Sequence, residues 1–144
     1  MNKLYDQDFY GWANEQAGLL RAGKLSAADI QNIAEEIKDM GKSVRSELVS
    51  RLVVLLHHLL KWGFQRTLRS SSWDASIAEQ RDRIASHLQE NPSLKPRIPD
   101  AMQAAYRVAR IRTAGETSLP RHAFPAECPY DFKSIMDEQF WPGG

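Results

Sequence analysis

The feature that most constrains the fold is a leucine-rich stretch between Ser43 and Arg66. Its apolar side chains recur at the 3.6-residue period of an α-helix, and they occupy more than one side of that helix. Five leucines share one sector of the helical wheel: Leu48, Leu52, Leu55, Leu56 and Leu59. A helix with apolar residues over so much of its circumference is buried on several sides. We therefore expect this segment to lie at the centre of a bundle of α-helices.

The remaining apolar patterns are also helical, and none shows the two-residue alternation of a β-strand. Their spacing predicts helices over residues 6–21, 26–40, 73–89 and 96–115. Gly41 marks an end or a kink after the second of these helices. Three prolines predict an irregular strap over residues 116–130, and residues 132–141 return enough apolar surface for a short helix or turn. We predict an all-α, single-domain helical bundle of about five helices, with a proline-rich C-terminal strap and a short terminal helix.

The length and the cysteine usage narrow the class of protein further. The chain has 144 residues, enough for one domain with its own core. Cys128 is its single cysteine, so an intramolecular disulfide is excluded. The longest apolar run, Leu52 to Leu56, is far shorter than the ~20 residues of a membrane span. No signal peptide is visible at the start. We expect a cytoplasmic protein that does not enter a membrane.

The charge is distributed unevenly along the chain. Residues 1–40 carry four basic and seven acidic side chains, whereas residues 41–73 carry six basic and one acidic. The basic middle could contact nucleic acid through Lys61, Arg66 and Arg69. It could equally pack beside acidic helices of the same chain. We favour the second interpretation, because the net charge is only +1 and nucleic-acid-binding domains are usually strongly basic.

A second group of polar residues could form a site in the bundle. Its members are Glu36, Glu47, Arg51, His58 and Arg81. Glu47 and Arg51 stand four residues apart, which is the spacing of an ion pair on one helical face. Carboxylates in such a group could divide acid and base roles if burial separated their pKa values. We favour a structural network that orients the helices.

The adjacent histidines raise the alternative of a metal or hydrolytic site. Neighbours on a helix point about 100° apart, so His57 and His58 cannot ligate one ion together. Such a site would use His58 with Glu35 or Glu36. Di-metal bundles carry a glutamate three residues before the histidine, and this chain has valine and leucine there. We expect His58 to be a hydrogen-bonded boundary residue and His57 to be exposed, with no metal and no cofactor.

Several short motifs, which together extend over nearly the whole chain, resemble one bacterial family. They include Glu35–Ile37, Met40–Ser43, Leu55–Trp62, Asn91–Leu94 and Phe140–Pro142. The family is known as domain of unknown function 29 and is common in cyanobacteria and proteobacteria. The resemblance implies a compact all-helical protein without an established activity. It assigns no catalytic residues.

The sequence carries no legible catalytic site. Cys128 lies between Glu127 and Pro129, with no helix start, base or cation nearby in sequence to stabilise a thiolate. Phosphate-binding glycine loops and hydrolase motifs are not found. Our leading prediction is therefore a small protein-interaction module without catalytic activity. Its partner would be another protein or a second copy of the chain, and no small-molecule ligand is identifiable.

Overall fold

The structure is a computed structural model that describes residues 3–143. No β-strand occurs in this range, which confirms the all-α fold class. The α-helices are α1 (Lys3–Gln7), α2 (Phe9–Arg21), α3 (Ile30–Phe64), α4 (Ser71–Glu90), α5 (Ile98–Thr117) and α6 (Phe132–Met136). Short 3₁₀ turns join several of them.

The first predicted helix is divided in two at Asp8. The Asp8 side chain accepts a hydrogen bond from the Gly11 backbone N–H at 3.0 Å, so this residue caps the start of α2. A Cβ atom at position 11 would lie 2.5 Å from Asp8 Oδ2, which explains the glycine there. The predicted end of this helix at residue 21 is confirmed, and Gly23 turns the chain away after α2 with a φ of +72°.

Of the two alternatives predicted at Gly41, an end or a kink of the helix, the end is wrong. The second and third predicted helices form one helix, α3, which begins at Ile30 and runs for 35 residues. A glycine inside a helix costs only about 1 kcal/mol relative to alanine, and the long runs of helix-forming residues on both sides outweigh that cost. The helix begins four residues later than predicted, after a 3₁₀ turn over Leu25–Ala27.

The chain divides into two compact units, Met1–Val44 and Arg45–Gly144. The amino-terminal unit contains α1, α2 and the first part of α3. Among its described residues, from 3 to 44, Trp12 is the one buried large apolar side chain, and the Trp12 Nε1–H donates to Asp29 Oδ2 at 3.0 Å. Gln16 Oε1 accepts a hydrogen bond from the Asp29 backbone N–H at 2.7 Å. The rings of Tyr5 and Phe9 pack around Trp12. The prediction of a single domain stays a prediction.

The carboxy-terminal unit contains the core that the leucine pattern predicts. All five leucines of the predicted sector are fully buried, and so is Leu60. They share this core with buried residues of the later helices and of the strap: Ile77, Ile84, Ala105, Ala109, Phe124 and Ile135. The leucine segment of α3 is therefore buried on several sides, as expected from its apolar circumference.

The strap after α5 is irregular, as its prolines predict. Ser118, the residue that follows α5, is left-handed with a φ of +60° and turns the chain out of the helix. Only a short 3₁₀ turn, Arg121–Ala123, interrupts the strap before α6. Phe124 anchors it in the core with 1% exposure. The strap is thus held against the carboxy-terminal unit, and it forms one wall of a cleft beside α5.

Candidate functional site

A buried polar cluster joins α3 to α5 in the carboxy-terminal unit. His57 is only 5% exposed, which contradicts the expectation that it is exposed. Its Nε2 lies 2.6 Å from Glu116 Oε2, and its Nδ1 lies 2.7 Å from Thr113 Oγ1. One turn further along α3, Lys61 Nζ donates to Glu116 Oε1 at 2.9 Å. Lys61 is also buried, so it is not the solvated cation that a nucleic-acid face requires.

The burial of His57 favours a neutral imidazole. Burial, reinforced by the charge of Lys61, lowers the pKa of His57 to about 4. A neutral ring has one N–H, and the Glu116 carboxylate can only accept, so the proton belongs on Nε2. The Thr113 hydroxyl donates to Ala109 O at 2.7 Å, within its own helix.

The charges of the cluster are balanced by direct contacts. The hydrogen bond from Lys61, with help from His57, lowers the pKa of Glu116 below its ordinary value. The Lys61 ammonium also lies 4.7 Å from the centre of the Trp73 ring. Thr113 is fully buried and cannot reach a substrate, although the order Thr–His–Glu resembles a catalytic triad. The cluster ties α3 to α5 and offers no accessible nucleophile.

The predicted polar group does not form one site. The pair of Glu47 and Arg51 is present at 3.2 Å on the surface of α3. Glu47 Oε2 also lies 3.1 Å from Nδ1 of His87 on α4, a partner that the sequence analysis missed. His58 is a half-buried boundary residue whose Nδ1 lies 2.8 Å from Val54 O, as expected. Glu36 belongs to the amino-terminal unit, where it accepts a hydrogen bond from the Tyr5 hydroxyl at 3.1 Å.

Three arginines hold the end of the chain by its backbone. Arg81, which is 6% exposed, donates to Ile135 O at 2.7 Å and to Phe140 O at 2.8 Å. Arg69 donates to Trp62 O at 2.8 Å and to Pro142 O at 3.1 Å, and Arg66 donates to Gly143 O. Two of the three residues assigned to a nucleic-acid face therefore serve the fold. Sequence reasoning could not find this role, because backbone carbonyls carry no residue signature.

The next candidates are a metal site and the Cys128 thiol. Between residues 3 and 143, no group of three or more His, Cys, Asp or Glu side chains could hold a metal ion. Glu35, an alternative ligand in the metal hypothesis, is exposed. The Cys128 thiol is half-buried and donates to Tyr130 O at 3.2 Å, and burial raises its pKa. A raised pKa keeps the sulfur as an inert thiol at neutral pH.

The strongest surface feature is an apolar face on the amino-terminal half of α3. Ile30, Ile37 and Met40 are 53%, 59% and 61% exposed. The small residues Ala34 and Gly41 lie beside them on the same side of the helix, and both are exposed. We call these five residues the amino-terminal apolar face. The same unit also exposes Phe9, Tyr10, Leu20 and Leu25.

Comparison with known families identifies the chain. The sequence profile described as "Domain of unknown function DUF29" matches residues 4–141. The chain belongs to the DUF29 family. No curated protein and no solved structure is significantly similar to it. The family assignment agrees with the all-helical fold and transfers no activity to this DUF29 chain. None of its helices, over the range that the structure describes, is long and apolar enough to cross a membrane.

This DUF29 chain therefore treats the charged residues of the predicted group differently from its large apolar side chains. The charged residues of the predicted group are engaged with neighbouring groups, whereas several large apolar side chains of the amino-terminal unit face solvent. Periodicity does mark these positions, since Ile30, Ile33, Ile37, Met40 and Val44 follow one another at intervals of three and four residues. The same periodicity cannot tell a buried stripe from an exposed one. It predicted a helical segment but not its exposure.

Proposed function

We propose that this DUF29 protein is a cytoplasmic protein-interaction module without catalytic activity, and that its amino-terminal apolar face binds the same face of a second copy. The observation that carries the proposal is the exposure of Ile30, Ile37 and Met40 on one side of α3. Clusters of large exposed apolar side chains mark interaction surfaces in soluble proteins.

The burial energy available at this face is substantial. Fully burying one isoleucine or methionine side chain contributes about 1.5–3 kcal/mol. The three large side chains are each more than half exposed, so most of that contribution has not been realised within the chain. Association must first offset the loss of translational and rotational freedom, so additional contacts from neighbouring apolar residues are needed. The exposed Leu20 and Leu25 of the same unit are candidates for these contacts.

The spacing of the apolar residues fits a second helix. Alternating intervals of three and four residues place side chains along the seam of a two-stranded coiled coil. The seam extends from Ile30 to Val44, which is about two heptads. At Gly41, no neighbouring side chain or other segment lies within 4 Å of the position a Cβ would take. Small residues beside a seam allow two helix backbones to approach closely.

The residues beside the seam fit a parallel second copy. Ile30 and Ile37 begin successive heptads of the seam, so Glu36 flanks the seam on one side, and Ala34 and Gly41 flank it on the other. In a parallel pair, opposite flanks of the two helices meet, so Glu36 of each copy faces a small uncharged residue of the other. An antiparallel pair places the flank of Glu36 against the same flank of the other copy, which brings like charges closer.

The carboxy-terminal unit supports a non-enzymatic role. Its buried His57 is neutral, its buried Lys61 is paired, and Arg66, Arg69 and Arg81 hold the backbone. We do not propose nucleic-acid binding, because these cations are committed to contacts inside the chain. We do not propose hydrolysis or metal binding at His58, because its nearest partner is the carbonyl of its own helix.

The proposal is tested by the mass of the protein in solution. Sedimentation velocity at concentrations up to about 100 µM would detect a dimer with a free energy of association near −6 kcal/mol or stronger. We expect a dimer for the wild-type chain and a monomer for Ile37→Glu, because a carboxylate cannot be buried unpaired in an apolar seam. Gln31→Glu is the matched control, since Gln31 is exposed on the same helix outside the face. A monomeric wild-type protein, or equal dissociation by both variants, would contradict the proposal.

A further inference from the structure

A large cleft lies between α5 and the strap in the carboxy-terminal unit. Its volume is about 1080 Å³. This is as large as the pockets that bind drug-sized ligands, which span roughly 300–1,000 Å³. Met102 and Tyr106 contribute apolar surface from α5, and Cys128 and Tyr130 contribute from the strap. The polar cluster around His57 is not among the residues that line it.

Three arginines line the cleft; Arg110 is half-buried, and Arg107 and Arg121 are exposed. Arg107 and Arg110 are three residues apart on α5 and therefore project to the same side, and Arg121 lines the cleft from the strap. None of the three forms an ion pair or a side-chain hydrogen bond with another residue between 3 and 143. Arg110 Nε is buried without a hydrogen-bond partner there. Arg51, Arg81 and Arg83, by contrast, all bind carboxylates or carbonyls.

The acidic residues of the cleft do not neutralise these arginines directly. Asp131 is the cap of α6, where it accepts a hydrogen bond from the Ser134 backbone N–H at 2.7 Å. Asp100 lies in the first turn of α5, seven residues before Arg107, which is about 10 Å along the helix. Glu127 also lines the cleft from the strap and is exposed. Asp100 thus lies beside the start of α5, whereas Arg107 and Arg110 lie further along that helix. We call the part of the cleft that is lined by Arg107, Arg110 and Arg121 its basic end.

We propose that the basic end of this cleft binds the phosphate group of a small organic phosphate ester. Guanidinium groups match a phosphate oxygen pair with two parallel hydrogen bonds. A phosphate dianion can use several such donors at once, which a single carboxylate can do less well. The organic part of the ester packs against Met102 and the ring of Tyr106. The Tyr106 hydroxyl already donates a hydrogen bond to Pro125 O.

The test is a titration followed by ¹H–¹⁵N chemical shifts, with phenyl phosphate, inorganic phosphate and phenol as probes. We expect saturable shifts for phenyl phosphate that are confined to residues 98–111 and 121–132. Inorganic phosphate should bind the same residues more weakly, and phenol should produce no saturable change. No saturation by either phosphate up to about 10 mM, which corresponds to a binding free energy near −3 kcal/mol, would overturn the proposal.

Arginine variants distinguish specific binding of phosphate in the cleft from its nonspecific attraction to positive charge. Arg110→Gln should weaken the binding of phenyl phosphate at least about tenfold, because it removes a charge-assisted donor. Arg112→Gln is the matched control, since Arg112 is an exposed arginine of the same helix that does not line the cleft. Arg107→Gln is the second variant, and the spectra themselves report whether each variant is folded. Equal weakening by Arg112→Gln and Arg110→Gln would show nonspecific binding and refute the site.

Discussion

The two ends of α3 carry similar apolar patterns but differ in how far these side chains are buried. Between Leu48 and Leu60 the leucines are fully buried in the carboxy-terminal unit. Between Ile30 and Met40 the large apolar side chains of the same helix are mostly exposed. Periodicity fixes which residues share a helical face, because it follows from backbone geometry. Whether a face is covered depends on other segments, and that information is not contained in the helix itself.

The largest expected effect comes from shortening a buried leucine. Leu56→Ala should lower the free energy of unfolding by about 2–5 kcal/mol, because it removes packed atoms and leaves a cavity. Ile37→Ala, on the exposed part of the same helix, should change the stability of the monomer by less than about 0.5 kcal/mol. Urea denaturation at low protein concentration, followed by circular dichroism, measures both. Similar losses for the two variants would remove the contrast between the two ends of α3.

A second comparison separates buried from exposed arginines. Arg81→Ala should cost about 2–4 kcal/mol, because the carbonyls of Ile135 and Phe140 lose their charged donor. Arg83→Ala, two positions along α4, breaks only an exposed pair with Glu79 and should cost less than about 1 kcal/mol. Denaturation gives the two free energies, and amide exchange over residues 135–143 should quicken only in Arg81→Ala. Unchanged amide exchange over residues 135–143 in Arg81→Ala would show that Arg81 does not hold the end of the chain.

The third prediction concerns pH. His57 has an ordinary pKa of 6.5 when unfolded and about 4 when folded. Between these values the unfolded chain binds the extra proton and the folded chain does not, so stability falls as the pH falls. His57 alone should account for up to about 3 kcal/mol of this loss between pH 6.5 and 4. The pKa of His58 is also lowered by burial, and its contribution has the same sign.

The variant His57→Gln isolates the contribution of this histidine. It should be less stable than the wild type at pH 7, and its stability should fall less steeply between pH 6.5 and 4. Stability curves measured at half-unit pH intervals supply the slopes. Equal slopes for the two proteins would mean that the ring of His57 is protonated in the fold, beside Glu116.

The smallest expected change in stability comes from replacing glycines by alanine, and its sign should differ between Gly41 and Gly11. Gly41→Ala should stabilise α3 by about 0.5–1 kcal/mol, since the position is helical and has no neighbouring side chain or other segment within 4 Å. Gly11→Ala should destabilise α2, because the new Cβ would meet the capping carboxylate of Asp8. Thermal unfolding of the two variants compares the signs. Loss of stability in Gly41→Ala would indicate that this side of α3 is covered within one chain.

The sequence predicted most of the helices and the buried leucine sector, because both depend on local periodicity. It also predicted the pair of Glu47 and Arg51, whose spacing of four residues is sufficient. It predicted that His57 is exposed and that His58 is the boundary residue, whereas His57 is the more buried of the two. The contacts of His57 come from Thr113 and Glu116, more than fifty residues away, and only tertiary packing brings them together.

The candidate site was less predictable for the same physical reason. Arg66, Arg69 and Arg81 bind backbone carbonyls of the last residues, and any residue type offers a carbonyl. The break at Asp8 was missed because a capping aspartate also resembles an acidic residue in a first helical turn. The continuity of α3 over Gly41 was missed because a glycine signals a helix end only when the following residues leave the helix.

The most direct test of the pairing at α3 is disulfide cross-linking in a Cys128→Ser background, which leaves the chain without its natural cysteine. Single cysteines replace Ile30, Ile37 or the control Gln31, and the purified proteins are oxidised at micromolar concentration. A parallel pair predicts cross-linked dimers for Ile30→Cys and Ile37→Cys and little for Gln31→Cys, because seam residues face their own counterparts. Cross-linking at neither seam position, or to an equal extent at Gln31, would contradict the account.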